Sequence, residues 1–147
     1  MTSSHTTGHE PSVQDAQPST LRLVRRGGLA GAFAAVCTTA MAAIARAADV
    51  SLEVETAAIP IAAFALWTLV GAALGVLMAR LLRARRRFLV VTVVATGLSL
   101  IPPIALPDDS ATKSVLVAAH LLAATIIIPI LSRGLTTVAA DGGARDR

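Results

Sequence analysis

Thr112 to Arg133 reads TKSVLVAAHLLAATIIIPILSR. Between Lys113 and Arg133 no side chain is formally charged with histidine counted neutral, and Ala, Leu, Ile and Val fill most positions. A helix rising 1.5 Å per residue needs about 20 such residues to cross roughly 30 Å of hydrocarbon. The stretch is therefore the length of one membrane span. His120 is its one ionisable interior residue, and such residues in a span call for a partner or a function.

Working outward, three more apolar segments precede it. The four predicted spans run from Gly27 to Ala48, Ile59 to Ala79, Phe88 to Leu106 and Ser114 to Ser132. Inside lipid each backbone N–H and C=O must be satisfied within its own segment, so helices are expected. The fold class is an all-α membrane protein, a four-transmembrane-helix bundle. Residues 1–20 are polar and Ser/Thr-rich and are read as a disordered cytoplasmic tail; residues 21–134 form the transmembrane domain and 135–147 a C-terminal tail. Pro60 suits a helix start. Pro102, Pro103 and Pro107 are expected to end the third span, with Asp108, Asp109 and Ser110 able to cap the fourth.

Composition agrees. Of 147 residues 54% are hydrophobic, and mean hydropathy is +0.70. The net charge of +4 does not mark a nucleic-acid binder, because the basic residues stand in short groups between apolar runs with no aromatic platform. Those groups set an orientation. Arg22, Arg25 and Arg26 precede the first span, Arg80, Arg83, Arg85, Arg86 and Arg87 lie between the second and third, and Arg133 follows the fourth. With an even number of spans all three groups share one side, expected to be the cytoplasm of an inner (plasma) membrane, so both termini are predicted inside. The opposite loops hold Asp49, Glu53, Glu55, Asp108 and Asp109 against Arg46 and Lys113. Arg25-Arg26 before an apolar run ending in Ala45-Arg46-Ala47 also resembles a cleaved signal peptide, but an Ala-rich helix meets that small-residue rule by chance, and an uncleaved first span is the expectation.

Several smaller motifs can be placed. Gly71 and Gly75 form a G-x-x-x-G, and Gly27, Gly31, Ala35, Thr39 and Ala43 repeat every fourth residue on the first span. Such stripes let helix backbones approach closely and are expected to pack the first two helices together, or two copies of the chain. Arg80 to Arg87 can enforce topology or meet anionic lipid head groups. Arg46 is expected to pair with Asp49 or to snorkel to the interface, Trp67 to pack inside the bundle rather than stand in an interfacial belt, and Cys37 to act as a small buried hydrophobe. His5 and His9 have no third ligand and do not suggest a metal.

Thr39, Thr68, Ser99 and His120 all fall roughly six to ten residues from the outer boundary of their helices, which antiparallel packing would bring to one layer. Thr92, Thr96 and Ser99 share one face of the third span. A neutral imidazole needs a donor and an acceptor partner, and neighbouring hydroxyls could supply both. His120 is then an interhelical clasp, or a proton-relay or ligand group of a transporter. With no intramembrane carboxylate, second intramembrane histidine or CxxC, neither a cofactor nor a metal is expected. A cofactor recruited at His120 is the weakest alternative.

With ARAADVSLEV (Ala45 to Val54), Ile59-Pro60, TLVGAALG (Thr68 to Gly75), LSLIPP (Leu98 to Pro103), ATK (Ala111 to Lys113) followed by His120, and the closing IPILSR, the chain resembles DUF6069, small actinobacterial integral membrane proteins of unknown function. The resemblance implies an uncleaved first helix and brings no activity with it. The expectation is a membrane-embedded bundle, not an enzyme, whose partners are the lipid bilayer and a second copy or another membrane protein. A small oligomeric transporter or channel protomer using the polar layer is the alternative.

Overall fold

The computed structural model describes residues 20–54 and 57–135. The predicted tails, except for Thr20 and Leu135, lie outside the described residues, as do His5, His9 and Glu55. Helix α1 (Thr20–Ala47) leads into a two-residue-per-strand hairpin, β1 (Glu53–Val54) and β2 (Ala57–Ala58), then α2 (Ile61–Leu82), α3 (Arg85–Ser99), the short α4 (Ile101–Ala105) and α5 (Ser110–Ser132). In β1 and β2, antiparallel pairing sets Glu53 opposite Ala58 and Val54 opposite Ala57. Counting α3 and α4 as one span, four helical stretches are long and apolar enough to cross a membrane.

The Ala-rich first helix is the most enclosed of the four. Buried residues make up 39% of its apolar stretch, against 6% for Arg85–Ala105. α1 packs chiefly on α2 and α5, while α3 lies on the flank. Small side chains explain the placement, since Ala34, Ala42, Ala72 and Ala79 are almost wholly buried and allow neighbouring backbones close approach. Larger residues fill the two ends. Leu23, Phe88, Ile127 and Leu131 belong to a cluster at the arginine-bearing end, and Leu52, Phe64 and Ala119 to one at the other.

The glycines divide in a way their spacing did not predict. A Cβ on Gly27 would collide with Val76, and one on Gly31 would stand 2.6 Å from the Ala72 Cβ. Both are seam positions between α1 and α2. Gly75 faces α5 instead, where an added Cβ would lie 3.1 Å from Leu131, and Gly71 opens onto free space. The G-x-x-x-G is thus not the α1–α2 contact; Ala72, one residue and about 100° further round, takes that place. The same geometry corrects the stripe on α1. A strict four-residue repeat drifts about 40° per step round a 3.6-residue helix, so three steps carry Thr39 about 120° from Gly27. An eleven-residue step returns to nearly the same face, and Thr38 is accordingly the buried residue, 1% exposed.

Two further expectations change. Pro102 and Pro103 do not terminate the third span. They occupy the first turn of α4, where missing N–H groups leave no intrahelical bond unmade. Leu100, in αR conformation, joins the two pieces, and its carbonyl accepts from Ile104 N at 3.2 Å. Trp67 is 70% exposed and points away from the bundle, because it precedes the seam residue Thr68 by one position.

Gly31→Val is expected to destabilise the bundle by about 1–3 kcal/mol through overpacking, whereas Gly71→Val should change stability by less than about 1 kcal/mol. Denaturation in mixed detergent micelles measures both. Equal losses at the two sites would contradict this seam.

Candidate functional site

The membrane-depth hydroxyls form two bonded pairs instead of one connected layer. On the α1–α2 seam the Thr38 hydroxyl donates to the Ala35 carbonyl at 3.2 Å, leaving a lone pair for the Thr68 hydroxyl at 3.0 Å. Thr68 is therefore where the sequence placed it, but its partner is Thr38. Thr39 Oγ1 is buried without a hydrogen-bond partner. A hydroxyl in that state costs on the order of 1–3 kcal/mol relative to a satisfied one.

The second pair joins α3 to α5. Ser99 Oγ lies 2.7 Å from His120 Nε2 and 2.9 Å from the Thr96 carbonyl. The two bonds fit together when serine donates to that carbonyl and the imidazole donates from Nε2. Ser99 is exposed and His120 half-buried, so the pair sits on the flank and not on the bundle axis. Thr92 is turned inward and donates to the Phe88 carbonyl at 2.7 Å. Beside the pair runs an open groove of about 280 Å³, lined by Val93, Thr96, Leu121, Thr125 and Pro129 among others. No hydrogen bond links the Thr38–Thr68 and Ser99–His120 pairs among the described residues.

A third polar centre joins Asp109, expected from the sequence as a cap of the fourth span, to Thr112, which the sequence did not single out. Thr112, fully buried at the start of α5, donates to Asp109 Oδ2 at 3.0 Å. Its oxygen then accepts from the Leu52 backbone N–H at 3.2 Å and lies 3.2 Å from Ser51 Oγ. Leu52 has φ 49° and Asp49 φ 60°, two bends that let the chain after α1 fold back so that the Leu52 side chain is wholly buried. Asp109 completes the arrangement as N-cap, accepting from Ala111 N at 3.2 Å and Thr112 N at 2.9 Å. Two stretches that carry the family resemblance, ADVSLEV and ATK, meet here. The missed signal was the capping-box-like D-x-x-T spacing of Asp109 and Thr112, which marks a local cap but says nothing of the distant loop it receives.

Arg46 does not pair with Asp49. Its Nη2 donates to the Ile59 carbonyl at 2.9 Å, tying the end of α1 to the residue before Pro60. Cys37 is half-buried. At the opposite end Arg22, Arg25, Arg26, Arg80, Arg83, Arg85, Arg86, Arg87 and Arg133 are all exposed. Arg26 approaches the end of α5, where a Cβ on Gly134 would lie 3.8 Å from its Nη1. Among the described residues there is no group of three or more His, Cys, Asp or Glu able to hold a metal.

Hydrogen bonds from Thr112 N, then from Ala111 N and the Thr112 hydroxyl, hold the Asp109 carboxyl below its ordinary value of 3.8. A lowered native pKa means the unfolded chain binds the proton more tightly. The cap's contribution is thus fully present above the ordinary value and is lost as pH falls through the lowered one. Melting curves from neutral pH down to about pH 3 should show wild type losing stability relative to Asp109→Asn only at the acid end. A difference that instead develops near neutrality would contradict the assignment.

No curated protein and no solved structure matches the chain. A match does run from residue 18 to residue 137, spanning all four candidate membrane spans and both bonded pairs, to a family of unknown function. The chain belongs to that family, DUF6069.

Proposed function

We propose that this protein is a multi-pass component of the inner (plasma) membrane with both termini cytoplasmic, serving as a structural, accessory or partner-binding bundle without catalysis of its own. The observation that carries the reading is how the interior is filled. Thr38, Thr68 and Thr92 bond within the bundle around an axis closed by Ala34, Ala42, Ala72 and Ala79, while Phe33, Leu66, Trp67, Val93 and Leu98 on the outside are each about 60–70% exposed. Such an apolar exterior is matched by lipid or by another membrane protein. The arginines support the orientation through the positive-inside rule.

The alternative, a small oligomeric transporter or channel protomer, draws on one observation. The Ser99–His120 pair faces the flank beside an open groove, where a second protomer could complete a polar path.

Reporter fusions at both termini should place each in the cytoplasm, and a periplasmic terminus would overturn the topology. His120→Ala should lower stability in detergent by about 0.6–2 kcal/mol, with cross-linked partners unchanged. Loss of an ion or solute flux in reconstituted vesicles, with folding intact, would instead establish the transporter reading.

A further inference from the structure

The corner between α2 and α3 breaks three local rules within a few residues. Arg83 closes α2 at φ 44° and ψ −39°, in the positive-φ region that glycine enters freely and a residue with a Cβ rarely does. Ala84 precedes α3 with no side-chain cap for its first N–H groups. Arg85, Arg86 and Arg87 then fill the first turn of a fifteen-residue helix, whose N-terminus is already positive, and no acidic residue stands there. Segments where propensity, capping and electrostatics all fail together are where function is expected.

The corner is also held in place. Ala79 before it and Phe88 after it are 1% and 0% exposed and belong to one core cluster with Leu23 and Leu131. Between these anchors Arg80, Arg83, Arg85, Arg86 and Arg87 are all exposed. No hydrogen bond from any of these five guanidiniums to a protein group is present among the described residues; Arg46, at the other end, has such a bond. A set of planar, permanently charged forks on an anchored corner is suited to phosphate oxygens. At the end of a membrane bundle, the phosphates within reach are those of the adjoining leaflet.

We propose that the α2–α3 corner is a binding site for the phosphate of anionic phospholipids, with Arg85, Arg86 and Arg87 as its centre and Arg80 and Arg83 at its edge. An anionic phosphate there would offset the repulsion among the guanidiniums and complement the positive N-terminus of α3. The site goes beyond topology. It rests on the membrane-embedded reading but not on which face is cytoplasmic.

The test uses the full chain in nanodiscs of phosphatidylcholine containing a minor fraction of spin-labelled phosphatidylglycerol or spin-labelled phosphatidylcholine. Wild type should hold the anionic lipid several-fold more strongly than the zwitterionic one. Replacing Arg85, Arg86 and Arg87 with Gln should bring that preference close to unity. Replacing Arg22, Arg25 and Arg26 with Gln, the same charge removed at the same end, should leave most of it. No preference in wild type, or equal losses in the two triple variants, would overturn the site, the second result reducing it to diffuse surface charge. Displacement of the lipid by millimolar inorganic phosphate would also overturn it, in favour of a soluble phosphate. Because nanodiscs expose both faces, failure here leaves the cytoplasmic placement of the termini untouched, which the fusions test separately.

Discussion

Close approach of α1 to its neighbours is the constraint on which the rest of the structure depends. In lipid no hydrophobic force drives one apolar helix against another, so association rests on dispersion contacts and a few hydrogen bonds that act only at short range. Gly27 and Gly31 allow that range, since a Cβ at either position would run into Val76 or Ala72. Once α1 lies against α2, Leu131 of α5 packs over Gly27 and Gly75, and Phe88 brings the start of α3 into the same cluster. The least hydrophobic-looking span thereby becomes the centre of the bundle.

Polar contacts then select one arrangement among the many that small residues permit. The Thr38–Thr68 bond sets how far α1 may slide along α2, and Ser99–His120 ties the loosely packed α3 to α5. At the end opposite the arginine groups, Thr112 receives the Leu52 backbone and is itself oriented by Asp109. That contact links the α1–α2 connection to the start of α5, closing a circuit the helix contacts alone would leave open. The opposite end is organised by charge and by Phe88. The two ends of the bundle are thus chemically distinct.

Much of the architecture was legible because hydropathy is a long-range average. Four runs of about twenty apolar residues report spans whatever their packing. The arginine groups were equally plain, since short loops leave little freedom in where they fall. Register was harder. Thr39 and Thr38 differ by one position in sequence and by about 100° on the helix, and the four-residue repeat from Gly27 pointed to the wrong one. Trp67 was misplaced because depth along a helix does not say which way a side chain faces, and Gly71 does not face α1. The prolines at 102 and 103 misled because proline is compatible with a first helical turn as well as with a helix end. Thr112 was missed because its decisive partner, the Leu52 N–H, is a backbone group sixty residues away that no side-chain pattern announces. For His120, depth gave Thr39, Thr68 and Ser99 as possible hydroxyl partners, and of these Ser99 is the one within reach.

The register of α1 on α2 can be read directly by disulfide formation in native membranes. With Cys37 replaced by Ala, the pair Thr38→Cys and Thr68→Cys should oxidise rapidly within one chain, because the two hydroxyl oxygens they replace stand 3.0 Å apart. Thr39→Cys with Thr68→Cys should remain reduced under the same conditions. Cross-linking through position 39 in preference to position 38 would contradict the seam and, with it, the central place of α1.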